Sequence, residues 1–486
     1  MALFQNNLLM GAASQSGSSG FSIDQSIRFN SGDSPYMHKT YGSAGGSRRK
    51  YTISVWFKIG KEGDGSSGTE RNIFMAGAYG SDDGITLDEN AKIKFSLNGT
   101  SSANLISTQV LRDHSSWYHV VVAVDTTQDI TSDRVKIYLN NSQITSFSTS
   151  NYPTQNYDGN IINNVQHNIG ARTGPNRHFD GYLADIVLLD NTVTTPASFG
   201  EFKEDSDIWV PKDVSELTFG TNGFWIDGRD SSDLGDDESG RGNDYTTSGL
   251  AATDQMVGES PTNNFAVFNP LLTNNSVFEY TEGNLKMDFN TSASWDHASG
   301  GSISMDSGKW YWEAYWTTGD SYSMFGILPT ELIHMCAGSG SNVYLSGNFI
   351  QNRSGGSIID LYRQVQGSTT TAGDFQVTNY LQFALDMDNK KFWCGVNGTY
   401  FSSGNPGAGS NELFTSTDVV SDSYTPAFLG YDISADTIIQ LNFGQDSTFA
   451  GVVTAGGNSD GNGIGNFRYA VPSGFLALCT KNLGAE

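Results

Sequence analysis

Short runs that alternate with a period of two, broken by clusters of Gly, Ser, Asn and Thr, govern what this chain can fold into. In "YTISVWF" the period sets Tyr51, Ile53, Val55 and Phe57 on one side, and "SIDQSIRF" alternates Ile23, Gln25, Ile27 and Phe29. Successive side chains of a strand point to opposite faces, so such runs are strands with one face reserved for a core. "WYHVVVAVD", "RVKIYLN" and "YLADIVLLD" continue the series, separated by turn-rich segments such as "KEGDGSSGTE" and "YGSDDG". Long runs with apolar residues every three or four positions are hard to find. The chain is therefore expected to be all-β.

With 486 residues, 37% of them hydrophobic, it has material for more than one core. Residues 1–20 form an arm ending in "SQSGSSG", flexible by composition. A first block of strands spans 21–210. Residues 211–264 are rich in acids and glycines, with Phe219, Phe224, Trp225, Ile226, Leu234 and Tyr245 as apolar anchors, and are expected to form an ordered connector packed on a neighbouring sheet. A second block spans 265–486, where "LDMDNKKFW" reads as a hairpin turning through Asp388, Asn389 and Lys390. No solenoid-type repeat is present, so the expectation is two antiparallel β-sandwiches of jelly-roll type in tandem.

A formal charge of −25 argues against a polyanionic partner, because nucleic-acid binders need a basic stripe to displace counterions. Arg48, Arg49 and Lys50 form the one basic triplet and read as a solvated loop before a strand. Three cysteines, Cys336, Cys394 and Cys479, give no disulfide framework; free thiols formed in a reducing compartment are expected, with a single pair as the alternative. The opening "MALFQNNLLMGAASQSG" has no basic segment and too short an apolar stretch for a signal peptide or a membrane span, so neither membrane insertion nor signal-led secretion is expected.

The strand signatures "YTISVWFKIG", "WYHVVVAVD", "RVKIYLNN", "HNIGAR" and "FDGYLADIVLLD" resemble, in order, the laminin-G or concanavalin A-like family. In the second block "SGKWYWEAYW", "YLQFALDMDNKKFWCGVNGTYF", "TPAFLGYD", "IIQLNFGQ" and "YAVPSGFLALCTKNL" resemble the SPRY domain, a binding module from which no catalytic residue can be inherited. Their succession, with the "SSDLG…SGRGNDYTTSGLAATDQM…SPTNNF" connector between, is similar to tail-fibre or other virion-surface proteins of tailed bacteriophages. That resemblance implies location on the virion surface after folding in the host cytoplasm, docking to other virion proteins through the arm, homo-oligomers (trimers by analogy), and binding to host-surface carbohydrate. A fold of this kind serves lectins, glucanases and virion proteins alike, so it leaves function open.

Candidate chemistry is sparse. Glu313 in "WYWEAYW" shares its face with Tyr311, Tyr315 and Thr317, whereas a retaining glycosidase needs two carboxylates about 5 Å apart. Asp386 and Asp388 share a face but begin a turn, where Asp bonds the following amides. Asp82 and Asp83 diverge if extended, and Asp185 and Asp190 flank "IVLL". The seven histidines, His38, His114, His119, His167, His178, His297 and His334, make no zincin pair, and His119 is expected to pack within its strand. "GGNSDGNGIGNF" lacks the lysine and the strand-to-helix setting of a phosphate loop. No catalytic residue is assigned.

Two binding expectations remain. Asp227, Asp230, Asp233, Asp236 and Asp244, with Asp237 and Glu238 among them, are either a solvated acidic loop or a calcium clamp; calcium is frequent in laminin-G-like domains and takes six to eight oxygens, although the spacing is not that of an EF-hand. Tyr36, Tyr41, Tyr79, Tyr152 and Tyr157, in Gly, Ser and Asn-rich segments, are the candidate rings for stacking on sugar. Binding rather than cleavage is the expected activity. The rivals are a depolymerase with acids converging from distant strands, and a purely structural capsid-decoration or tail-shell protein.

Overall fold

The computed structural model describes residues 20–483 except 62, 64, 204–206, 273–277, 290–297, 320–321, 338–344, 353–357, 366 and 430–435. The arm of residues 1–20 thus lies outside the described residues but for Gly20, as does His297; the side chains of His334 and Cys336 lie outside them too. The chain divides into two compact units, 17–263 and a second containing 264–486. Both are built from antiparallel sheets, and the protein is all-β. Among the described residues no helix is long and apolar enough to cross a membrane.

In the first unit one sheet runs Ser142–Gln143, Val135–Leu139, Trp117–Asp125, Lys50–Ile59, Gly181–Asp190, Gln25–Phe29 and Gln255–Val257. The facing sheet runs Phe147–Asn151, Ala103–Val110, Lys92–Leu97, Asp83–Leu87, Arg71–Ala76, Gln166–Ile169, Tyr36–Thr40 and Thr246–Ser248. The predicted alternation is what fills the space between them: Tyr51, Ile53, Val55 and Phe57 from the first sheet meet Ile85, Leu87, Ile93 and Phe95 from the second in one buried cluster.

The segment after Val210 belongs to this unit and completes it. Phe224–Ile226 pairs with Gly181–Asp190, Gln255–Val257 with Gln25–Phe29, and Thr246–Ser248 with Tyr36–Thr40, so the connector adds strands to both sheets. It also covers the outer face of the first sheet, where Trp225, Phe219 and Val214 join Val121, Val187 and Leu189, and Met256 joins Trp56, Trp117 and Tyr182. A strand buried on both faces reads as a continuous apolar run, which explains "YLADIVLLD", buried at every position.

That covered face holds an ion pair. Lys58 and Glu259 have no exposed side-chain surface, their Nζ and Oε1 atoms are 3.3 Å apart, and Trp117 Nε1 donates to the same Oε1 at 2.8 Å. Burial pushes the Lys58 ammonium below its usual pKa, and Glu259 opposes that shift. Ser260 and Thr262 Oγ atoms both donate to the carbonyl of Ile23, fastening the end of the connector to the start of the sandwich.

In the second unit one sheet contains Phe278–Thr281, Lys286–Phe289, Thr437–Asn442, Lys309–Thr318, Tyr380–Asp386, Lys391–Val396 and Thr399–Tyr400 in that order; Leu476–Ala477 pairs in parallel with Lys309–Thr318. The other runs Ala298–Gly300, Tyr424–Leu429, Met324–Pro329, Asn348–Asn352, Ile358–Arg363 and Gly367–Ala372. Trp310, Trp312, Ala314 and Trp316 all enter its large core cluster, Trp312 stacking on Phe383 at 5.4 Å. Cys394 is a buried free thiol, and Cys479 is buried as well.

Candidate functional site

The five tyrosines go to different places. Tyr41 is buried, its hydroxyl 3.4 Å from that of Tyr245 and its ring edge-on to His167 at 4.7 Å; a residue from the connector seals it, so it is no surface ring. Tyr152 and Tyr157 are half-buried against the first core, Tyr152 edge-on to Phe147. Tyr36 is half-buried on its strand between His38 and His178. Tyr79 alone of the five stands out, 61% exposed, with the Arg172 guanidinium over its ring at 4.3 Å.

Beside Tyr79 a groove of about 280 Å³ opens on the outer face of the second sheet. The period-two register builds its floor. Asn72, Thr86 and Lys94 are partners across three strands, turned away from the core that takes the neighbouring Phe74–Ile85 and Ile85–Phe95 pairs. Met75, Gly84 and Ser96 form the next row, and a Cβ on Gly84 would collide with the carbonyl oxygen of Phe74, so only glycine fits there. Gly99, at φ +68°, lets one hairpin loop pass against the carbonyl of Gly80 to close a wall.

Charge is fixed around this floor. Arg172 grips Asp82 through two nitrogens, Nη2 at 2.8 Å from Oδ1, and Arg177 holds Glu70 Oε1 at 2.9 Å. Thr86 Oγ1 donates to Asn72 Oδ1 at 3.1 Å. Glu70 Oε2 is buried and, among the described residues, has no hydrogen-bond partner, an acceptor held ready at the groove. Sequence reasoning missed Asn72, Thr86, Lys94, Glu70, Arg172 and Arg177. The one available signal was polar residues at alternate positions of "RNIFMA", "DGITL" and "KIKFSL".

Five acids of the connector, Asp227, Asp230, Asp233, Asp237 and Asp244, accept hydrogen bonds from amides of the connector itself. Asp227 accepts from the Arg229 amide and guanidinium, Asp230 from the Ser232 amide and hydroxyl, Asp233 from the Gly235 amide, and Asp244 from the Asp237 amide. Asp237 accepts from Trp225, Ser239 and Asn243 amides and pins the loop to the sheet. Asp236 is half-exposed, and burial together with Asp244 and Asp233 raises its pKa. Among the described residues no group of three or more Asp, Glu, His or Cys is placed to hold a metal, so the five acids are not brought together as a calcium shell. The Asp227, Asp230 and Asp233 turns are of the type that Asp favours because its carboxylate accepts the amide two residues on. Chelation with EDTA is accordingly expected to leave the melting temperature unchanged, as differential scanning calorimetry would show.

The remaining carboxylates also have structural engagements. Glu313 is fully buried and accepts four hydrogen bonds, from Tyr311 Oη (2.9 Å), Asn442 Nδ2 (3.1 Å) and the amides of Arg468 (2.9 Å) and Tyr469 (2.8 Å). Asp386 accepts from Asn389 at the hairpin turn and pairs with Lys309, and Asp388 accepts from the Gly308 amide. Asp82 and Asp83 diverge, one to Arg172 and the other to the amides of Asn98 and Asn160. Burial raises the Asp83 pKa to about 6.

Ser54 Oγ lies 2.7 Å from His119 Nε2, which invites a nucleophile reading. Trp209 Nε1 donates to His119 Nδ1 at 3.0 Å, and burial depresses the ring's pKa to about 3, so the neutral imidazole carries its proton on Nε2 and donates to Ser54. His119 thus cannot take the serine proton. It stacks on Trp56 at 4.3 Å and serves packing.

Asp185 sits at φ +45° where the strand register slips between Ala184 and Val187. Trp225 Nε1 donates to its Oδ1 at 2.8 Å, Oδ2 is buried with no partner among the described residues, and burial raises its pKa to about 7. A carboxyl raised in the folded state favours the protonated fold: its contribution is complete below the unfolded pKa near 3.8 and is lost as pH rises through about 7. Asp83 acts in the same sense up to about 6. Asp185→Asn, which keeps an acceptor for Trp225, is expected to raise stability at pH 8 by up to about 4 kcal/mol and to flatten the loss between pH 4 and 7 in denaturant titrations.

Residues 31–197 match the family model of the concanavalin A-like lectin/glucanases superfamily. The first unit therefore has a lectin-type fold, and the groove lies on it. Solved structures similar to this chain include the SPRY domain of human HERC1 (15% identity, covering 32% of this chain and 87% of that one, TM-score 0.23) and the TRIM65 PSpry domain (14%, 37% and 92%, 0.27). A candidate carbohydrate binding protein from Bacteroides ovatus is also similar (14%, 49% and 61%, 0.32). At such identities the likeness concerns the fold alone. No curated protein matches the chain.

Proposed function

We propose that this protein binds carbohydrate through the groove of the first sandwich and that it does so as a virion-surface component of a tailed bacteriophage, a tail fibre or head-surface appendage contacting host-surface glycan. The observation that carries the binding reading is the groove itself: a polar floor of Asn72, Thr86, Lys94 and Ser96, an open acceptor on Glu70, and an exposed ring, Tyr79, at its side. Sugars present hydroxyls and an apolar face, and fixed polar groups beside an aromatic ring meet both.

Binding rather than cleavage fits the groove's two carboxylates, since Asp82 and Glu70 are each held by an arginine. The virion role rests on the succession of domains and connector, and with it come docking to another virion protein through residues 1–20 and a homotrimer. Mass spectrometry of purified particles and light scattering of the free protein test those two points. For the site, Tyr79→Ala is expected to weaken binding to host-envelope polysaccharide at least tenfold in calorimetric titration without shifting the melting temperature. Unchanged affinity would remove the groove from the account, and release of reducing ends would favour a depolymerase.

A further inference from the structure

The groove carries more positive charge than the rest of so acidic a chain would lead one to expect. Its lining holds three cations, Lys94, Arg172 and Arg177, and two acids, Glu70 and Asp82. Both acids are committed to the arginines, Asp82 through two nitrogens of Arg172 and Glu70 through one oxygen to Arg177. Among the described residues no carboxylate pairs with Lys94, which is half-buried in the floor. The groove therefore offers an uncommitted ammonium and an uncommitted carboxylate oxygen, Glu70 Oε2. Glu70 stands at the head of Arg71–Ala76 and Lys94 on Lys92–Leu97, two strands away, which separates them by about 10 Å across the sheet.

Resting on the carbohydrate reading above, we propose that the groove selects a saccharide carrying a single acidic unit, its carboxylate paired with Lys94 while a hydroxyl elsewhere on the ligand donates to Glu70 Oε2. A neutral sugar would leave a partly desolvated ammonium without a counter-charge, and the orphan acceptor asks for a donor that sugar hydroxyls supply. A polyacid is disfavoured, because one uncommitted cation in a chain of net charge −25 cannot offset repeated negative charge.

The test is titration of the full chain with a panel of bacterial-envelope oligosaccharides that each contain a uronate, alongside the same oligosaccharides after carboxyl reduction. The proposal expects reduction to weaken binding at least tenfold, Lys94→Gln to bind both forms alike, Lys94→Arg to keep a preference for the acid, and rising salt to narrow the gap. Equal affinity for acidic and reduced forms, with Tyr79→Ala still abolishing both, would overturn the acidic-unit proposal and leave the carbohydrate reading standing. Binding of the panel that Tyr79→Ala leaves untouched, or no binding by any member, would overturn both.

Discussion

Replacing Glu313 by alanine is expected to destabilise the second sandwich by roughly 3–5 kcal/mol, because several buried donors lose their acceptor at about 1–3 kcal/mol each. Four donors converge on this carboxylate, from a side chain on its own strand, one on a neighbouring strand, and two successive amides of the segment at Arg468 and Tyr469. Deleting the acceptor strands them all without water. Burial raises the Glu313 pKa while the four hydrogen bonds lower it, so the site is costly when charged and costlier when emptied. Glu313→Gln keeps one acceptor but turns an amide towards donors, and should cost about 1–3 kcal/mol. Urea denaturation followed by tryptophan fluorescence measures both. A Glu313→Ala variant as stable as the parent would show that the carboxylate does not hold that segment.

The second large effect concerns Glu259. Glu259→Ala leaves the Lys58 ammonium with no exposed surface and no carboxylate at 3.3 Å, and takes the acceptor from Trp117. A loss of about 3–5 kcal/mol is expected from the first sandwich. Because burial already presses the Lys58 pKa downward, the variant should recover stability as pH rises towards 10 and the amine gives up its proton. The double replacement Lys58→Met, Glu259→Leu should be more stable than Glu259→Ala, since an apolar pair of similar volume carries no desolvation penalty. If the double variant is the less stable of the two, the ion pair contributes through geometry that apolar packing cannot replace.

These two residues also mark where the sequence was legible. The alternation in "YTISVWF" and "WYWEAYW" encodes strands and core because it is local, and the structure buries Val55 and Trp312 as that alternation requires. What the sequence hid is non-local. Tyr41 looked like a loop ring in a Gly and Ser-rich stretch, and is buried by Tyr245, 204 residues away. Tyr311 and Glu313 face away from the main tryptophans, yet that face is covered as well, by the segment carrying Phe467 and Tyr469. The acids of the connector read as candidate cation ligands by composition. Their turns are each closed by one carboxylate oxygen on the amide two residues on, which is a turn role that composition does not distinguish from cation binding. The groove was invisible for the same reason: Asn72, Thr86 and Lys94 become neighbours through strand register, and Arg172 and Arg177 reach it from a loop beyond Gln166–Ile169. Of the candidate rings, only Tyr79 stands beside it.

Hydrogen–deuterium exchange of the intact chain, with and without a bound envelope oligosaccharide, tests the central claim most directly. The account predicts slowed exchange in the loops at 77–82 and 98–102 and along Asp83–Leu87, where the groove lies. Protection confined to residues 264–483, with 70–101 unchanged, would contradict it.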